Sequence, residues 1–220
     1  MKSSQKKSTR SKEETTKLVL MDFDGVIFDS FDTACNIVLK VQKEYGVNAV
    51  TDPGKIRHLW DMNFYDAIKH VGIPFWKLPF MMRRMKKLLE REYEPPISKG
   101  IIPVIKELAK KYPIVVVSSN FNKTMKKNLD KYHLSRYFKE LLGADFIKSK
   151  IKKILYVCLE YNIKPEQIVF ISDTAGDIYE GKKAGVKTIG VTWGFPDIKH
   201  LRKAKPDFIV KKPSELLRLL

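Results

Sequence analysis

The run Leu18-Val19-Leu20-Met21 is unbroken in apolar residues and stops at Asp22-Phe23-Asp24-Gly25. A run this short with no polar face reads as a strand buried on both sides, the signature of a parallel sheet. Comparable runs recur at about 113–118, 141–146, 167–172, 187–192 and 207–210. Helix-period stretches separate them: Ile101–Lys111 with Pro103 in its first turn, then about 122–132, 149–162, 177–185 and 213–219. Strand and helix in alternation predict an α/β protein built on a doubly wound parallel sheet. No Gly-x-Gly-x-x-Gly follows the first strand, so a dinucleotide-binding version of the fold has no support.

Open α/β sheets bind ligands beyond the C-terminal ends of their strands, which makes the loop holding Asp22 and Asp24 the expected site. Carboxylates this close raise each other's pKa, and the usual remedies are a shared proton or a bound cation. A second acidic pair, Asp173 and Asp177, follows the run Ile168-Val169-Phe170-Ile171. Two strands ending side by side would bring Asp22, Asp24, Asp173 and Asp177 into one crevice. An oxygen-only set without His or Cys suits a hard cation, and few protein ligands plus water favour Mg²⁺ over Ca²⁺. Between the pairs, Ile114-Val115-Val116-Val117 leads into Ser118-Ser119-Asn120, and Phe146-Ile147-Lys148-Ser149-Lys150 supplies a lysine ahead of a helix. A nucleophilic carboxylate, metal ligands, a hydroxyl and a lysine are the parts of a phosphoryl-transfer site.

In this order the motifs resemble the haloacid dehalogenase-like (HAD) hydrolase superfamily, and within it the phosphoglycolate phosphatase-like branch. Asp22-Phe23-Asp24-Gly25-Val26 matches the first motif, Val116-Val117-Ser118 the second, Lys148 the third and Asp173-Thr174-Ala175-Gly176-Asp177 the fourth. Ala184-Gly185-Val186 and Gly190-Val191-Thr192-Trp193-Gly194 extend the match to roughly residues 17–215. Two positions depart from the pattern. Ser172 stands where a glycine is usual, and no proline follows Lys148, which leaves Lys150 as the alternative third-motif lysine. The resemblance implies a HAD-type Rossmann-like core and a Mg²⁺-dependent phosphatase working through an aspartyl-phosphate. It makes Asp22 the nucleophile, Asp24 the general acid–base and Lys148 the countercharge. Ser118, with Ser119, Asn120 and Gly25, would cradle the phosphate. Asp22, the backbone carbonyl of Asp24 and Asp173 would hold Mg²⁺, with Asp177 orienting a bound water.

The strand–helix alternation breaks between residues 33 and 98, where Ala34, Ile37, Val38, Val41 and Tyr45 repeat at helical spacing. An insertion at this point resembles the family's C1 helical cap, which closes over the site and selects the substrate. The expected division is a disordered basic tail at 1–15, a core domain at 16–32 and 99–220, and a cap at 33–98. Pro95-Pro96 and Ser98-Lys99-Gly100 read as the hinge. Trp60, Phe64, Tyr65, Phe75, Trp76 and Phe80 are expected to pack the cap. Arg57, His58, Arg83 and Arg84 are candidates for the far end of the substrate.

At 220 residues and 44% hydrophobic, the chain can bury a full core. Cys35 and Cys158 sit among apolar residues and read as small buried side chains of a reducing, cytoplasmic setting. No run of about 18 apolar residues suggests a membrane span, and no signal-peptide pattern opens the chain. His58, His70, His133 and His200 lack metal-ligand spacing, and Trp193 is expected on the crevice rim against a neighbouring loop. The first 17 residues hold six basic and two acidic side chains, so +4 of the net +17 lies there and the rest is spread over helices. Such a field draws in a small anionic phosphorylated substrate. Nucleic acid is not the expected partner, because no binding motif accompanies the lysines. A monomer or homodimer is expected. Two alternatives stay open: a sugar phosphomutase of the same superfamily, and a basic nucleic-acid or partner-binding protein on an inactive phosphatase scaffold.

Overall fold

The computed structural model describes residues 15–47, 73–195 and 198–220. The apolar runs become β1 (Leu18–Met21), β2 (Ile114–Val117), β3 (Glu140–Leu142), β4 (Ile168–Ser172), β5 (Lys187–Val191) and β6 (Phe208–Val210). Every pairing is parallel and the order is β3-β2-β1-β4-β5-β6. Among the described residues the helices are α1 (Phe31–Glu44), α2 (Leu78–Glu92), α3 (Ile101–Lys111), α4 (Asn122–Lys131), α5 (Lys150–Glu160), α6 (Ala175–Lys183), α7 (Ile198–Lys203) and α8 (Leu216–Leu219).

The expected doubly wound sheet is present, and the period-2 alternation of each strand builds it. Val19, Met21, Ile114, Val116, Val169 and Ile171 face one side, packed with Ile37 and Val41 of α1, Leu88 of α2, Ile105 and Leu108 of α3 and Leu129 of α4. Leu18, Leu20, Val115, Val117, Ile168 and Phe170 face the other, with Ile154 and Val157 of α5. Both faces being covered explains why β1, β2 and β4 carry no polar residue before their last position.

One expected strand is wrong in length. The run read at about 141–146 is a strand only at Glu140–Leu142. Its ladder partner β2 ends at Val117, opposite Leu142. The next amides turn away: Gly143 N–H donates to Asn122 Oδ1 at 2.6 Å and Ala144 N–H to the Asn120 carbonyl at 2.8 Å. The loop from Gly143 to Ser149 therefore belongs to the sheet's C-terminal edge. At the C-terminus the helix read at 213–219 splits into a 3₁₀ turn, Pro213–Glu215, and α8. α7 lies where the sequence announces no helix.

The chain leaves the sheet after β1 and returns before α3 by two adjacent crossings. Phe28 bridges antiparallel to Ile97, Asp29 N–H donates to the Pro96 carbonyl at 2.9 Å, and Ser98 N–H to the Ile27 carbonyl at 2.9 Å. Between the crossings α1 packs on α2, with ion pairs Lys40–Glu92 and Arg84–Glu44 each at 2.7 Å.

Candidate active site

The sheet changes direction between β1 and β4, and the crevice at that switch point holds the acidic motifs. The register sets Met21 beside Ile171, so Asp22 leaves β1 level with Ser172 at the end of β4. Asp22 is buried, its N–H donates to the Ile171 carbonyl at 2.9 Å, and its Oδ1 accepts from Phe23 N–H at 2.7 Å. Gly25 then turns the chain at φ 73, the left-handed region glycine tolerates without strain.

The lysine that meets these carboxylates is Lys150, not Lys148. Its Nζ donates to Asp22 Oδ2 at 2.7 Å and to Asp177 Oδ2 at 2.6 Å. Lys148 is exposed in the preceding loop. A strand running to residue 146 would put Lys148 at the sheet's edge. With β3 stopping at Leu142, the loop consumes Lys148, Ser149 caps α5 and Lys150 becomes its first residue, aimed into the crevice. Burial alone would depress the Lys150 ammonium, but Asp177 and Asp22 outweigh it and raise its pKa. Burial pushes the Asp22 carboxyl well up, against the pull of Lys150. Burial acts upward on Asp177 too, yet the Lys150 charge prevails and holds that carboxyl below its usual range.

Asp177 sits in the first turn of α6, where Thr174 caps the helix by accepting from Asp177 N–H at 3.2 Å. Ser172, the residue that departs from the family pattern, has a use here. Its hydroxyl donates to Asp177 Oδ2 at 2.6 Å and lies 3.4 Å from Asp22 Oδ2.

Asp24 is held by three donors. Tyr93 and Ser30 hydroxyls both donate to Oδ1, Ser30 at 2.7 Å, and Asn120 Nδ2 faces Oδ2 at 3.3 Å. Its pKa is raised, as expected of a general acid, but by a different cause. Burial raises it, while the three hydrogen bonds favour the ionised form and pull it down.

Asp173 is fully buried and lies in a cradle of backbone. A Cβ on Gly25 would stand 2.0 Å from Asp173 Oδ2, and one on Gly194 2.2 Å. Gly25 was expected at the phosphate; its close approach is to this carboxylate. Oδ2 accepts from Phe195 N–H at 2.8 Å, whereas Oδ1 is buried with no hydrogen-bond partner. Burial pushes the Asp173 carboxyl up to about 7. Among the described residues no three acidic, His or Cys side chains already face one centre. Asp177 Oδ2 accepts from Lys150 and Ser172, and the Asp24 carboxylate from its three donors, so Asp173 Oδ1 is the buried carboxylate oxygen of this group left without a partner. An unpaired buried carboxylate oxygen among oxygen-only donors fits a hard cation.

At the end of β2, Ser118 and Asn120 are buried and Ser119 is exposed. The Ser118 hydroxyl accepts from Asn120 N–H at 3.0 Å, and the buried Lys153 donates to the Ser118 carbonyl at 2.5 Å. Trp193 packs on the first motif's loop, its Nε1 donating to the Val26 carbonyl at 3.1 Å. Arg84 is occupied by Glu44, at 2.7 and 2.9 Å, and Arg83 is exposed. Arg57 and His58 lie outside the described residues, as do Trp60, Phe64 and Tyr65, whereas Phe75, Trp76 and Phe80 are exposed instead of packed. Cys35 is buried and Cys158 half-buried, neither in a disulfide. The sequence reading missed Tyr93, Ser30 and Lys153. Only Lys153 left a trace, as a lysine one turn beyond Lys150 on a face otherwise apolar.

A doubly wound parallel sheet with a carboxylate–lysine cluster at its switch point defines a Rossmann-like α/β enzyme scaffold. A family model for haloacid dehalogenase-like hydrolases matches residues 19–191. The chain belongs to that family and is an enzyme of it. A phosphoglycolate phosphatase of Aquifex aeolicus is 27% identical over 93% of this chain and 96% of its own. The pyrophosphatase PpaX of Anoxybacillus flavithermus is 31% identical over 92% of this chain and 95% of its own. A haloacid dehalogenase-like hydrolase from Streptococcus pneumoniae shares the fold, with a TM-score of 0.84 at 22% identity over 93% of this chain and 98% of that one. Among the described residues no helix is long and apolar enough to cross a membrane.

Proposed function

We propose that the protein is a Mg²⁺-dependent phosphatase of small phosphorylated metabolites, acting through an aspartyl-phosphate on Asp22. The observation that carries this reading is the Asp22–Lys150–Asp177 cluster, with Asp24 held two residues from the nucleophile. Relatives named for phosphoglycolate and pyrophosphate hydrolysis support the substrate class.

Asp22 attacks phosphorus in line, forming the Asp22–phosphorus bond as the bond to the leaving oxygen breaks. Asp24 gives its proton to that oxygen, and the raised pKa of the buried carboxyl keeps the proton available. Water then attacks the phosphoryl group, Asp24 takes its proton back, and the Asp22 carboxylate is released. Lys150 holds Asp22 in place and offsets charge on the transferring group. Ser118 hydrogen-bonds a phosphoryl oxygen, and Asn120 spans from that loop to Asp24. Asp22, Asp173 and the Asp24 carbonyl would hold Mg²⁺, which would supply positive charge against the phosphoryl oxygens. The chain between residues 33 and 98, including most of α1 and all of α2, serves as a cap hinged at the paired crossings. It excludes water and selects the substrate.

The test is Mg²⁺-dependent phosphate release over a panel containing phosphoglycolate, sugar phosphates and inorganic pyrophosphate, with rapid-quench trapping of protein-bound phosphate. Trapped phosphate is expected in the wild type and absent in Asp22→Asn. A phosphoenzyme persisting in Asp22→Asn would place the nucleophile elsewhere. Transfer of phosphate between sugar positions without release would make the enzyme a mutase.

A further inference from the structure

We propose that Tyr93 is a positioning residue that decides which oxygen of Asp24 carries the catalytic proton. The inference rests on Asp24 being the general acid–base.

A carboxylate on a loop has two nearly equivalent oxygens, because its terminal torsion is broad and two-fold. Nothing within Asp22-Phe23-Asp24-Gly25 distinguishes them. Tyr93 and Ser30 do, since both hydroxyls donate to Oδ1. A carboxylate oxygen offers two lone-pair positions, and two donors fill them. The proton Asp24 transfers therefore resides on Oδ2. Among the described residues that oxygen is faced by the longer contact from Asn120 alone, in the loop at the end of β2 that also carries Ser118.

Tyr93 is itself held from both ends. It is buried at 1% exposure and caps the C-terminus of α2 in an extended conformation. Its carbonyl accepts from Asn128 Nδ2 at 3.0 Å, and Asn128 is a buried residue of α4 whose amide also donates to the Thr124 carbonyl at 2.9 Å. Three residues further on, Pro96 meets Asp29 at the paired crossing. A residue 69 positions from Asp24 thus ties the end of the inserted helices to the acid. The tie fixes an orientation and leaves the nucleophile untouched.

The experiment compares kcat and KM of wild type, Tyr93→Phe, Ser30→Ala and Asp24→Asn, all with Mg²⁺, on alkyl and aryl phosphates. Alkyl leaving groups need the proton and aryl ones much less. Asp24→Asn should collapse the ratio of alkyl to aryl kcat by roughly 10²-fold or more, the scale of general acid catalysis. Tyr93→Phe keeps the ring in the core and should lower the same ratio about tenfold, a part of that effect, with KM little changed. A merely structural role would depress both substrates alike. An unchanged ratio in Tyr93→Phe beside a collapsed one in Asp24→Asn overturns the positioning role and leaves the acid–base reading standing. An unchanged ratio in Asp24→Asn overturns both. If Tyr93→Phe does not fold, Ser30→Ala decides: it removes the other donor from Oδ1, and an unchanged ratio there refutes the locking of that oxygen.

Discussion

Lys150 Nζ lies 2.7 Å from Asp22 Oδ2 and 2.6 Å from Asp177 Oδ2, so one buried ammonium joins the motif after β1 to the motif after β4. Asp22 is buried and Asp177 largely shielded, and neither can be left without this charge cheaply. Removing one partner from a buried ion pair costs about 3–5 kcal/mol, because the charge left behind has lost its water as well as its partner.

Lys150→Ala is expected to lower kcat at least roughly 10²-fold, the scale of losing one preorganised charge partner. It should also destabilise the fold by about 3–5 kcal/mol. Lys148→Ala, at an exposed loop position, should match wild type in both respects. Phosphate release and urea denaturation on the two variants check this. A crippled Lys148→Ala beside an active Lys150→Ala would return the motif to residue 148.

Gly194→Ala should weaken Mg²⁺ binding. Its Cβ would stand 2.2 Å from Asp173 Oδ2, and the fully buried carboxylate has nowhere to retreat. Disturbing a ligand's support in this way costs roughly 10–100-fold in metal affinity. The measurement is the rise in Tm of each protein as Mg²⁺ is titrated in after EDTA treatment. The half-point should move to higher Mg²⁺ in the variant. An unshifted half-point would remove Asp173 from the metal site.

Lys153 gives the fold a pH dependence on the alkaline side. Burial, and then the neighbouring Lys150, lower its pKa from 10.5 to about 8. Below about 8 the ammonium is charged in both states, and the folded protein bears the full cost of burying it. Between about 8 and 10.5 the folded state sheds a proton that the unfolded state keeps, so stability contributed by this residue rises with pH. Lys153→Met should lack that component. In urea denaturation at pH 7 and pH 9.5, wild type should gain on Lys153→Met at the higher pH. A constant difference between the two proteins would mean that Lys153 does not titrate there.

The strands that carry the site were legible because of how this sheet is built. β1, β2 and β4 are covered on both faces, so nothing but apolar residues fits them before their last position, and where a strand ends its first polar residue must enter the crevice. Asp22 and Ser118 follow from that rule, and so does Ser172, which Asp173 follows directly. Asp177 follows from the helix turn it opens, three residues after its cap Thr174.

Other features depend on what lies alongside in space. Lys150 displaced Lys148 because β3 can be no longer than the partner it pairs with, and β2 ends at Val117. Asp24 acquires its pKa from burial, and its orientation from Ser30 and a tyrosine 69 residues away. Gly194 proved to cradle Asp173 only once β5 had delivered the following loop to the same edge. Periodicity and composition fix which residues are buried, since each local stretch must present its apolar side somewhere. Which buried polar atoms meet is decided by tertiary packing, because hydrogen bonds and desolvation act over a few ångströms between parts of the chain that sequence separates.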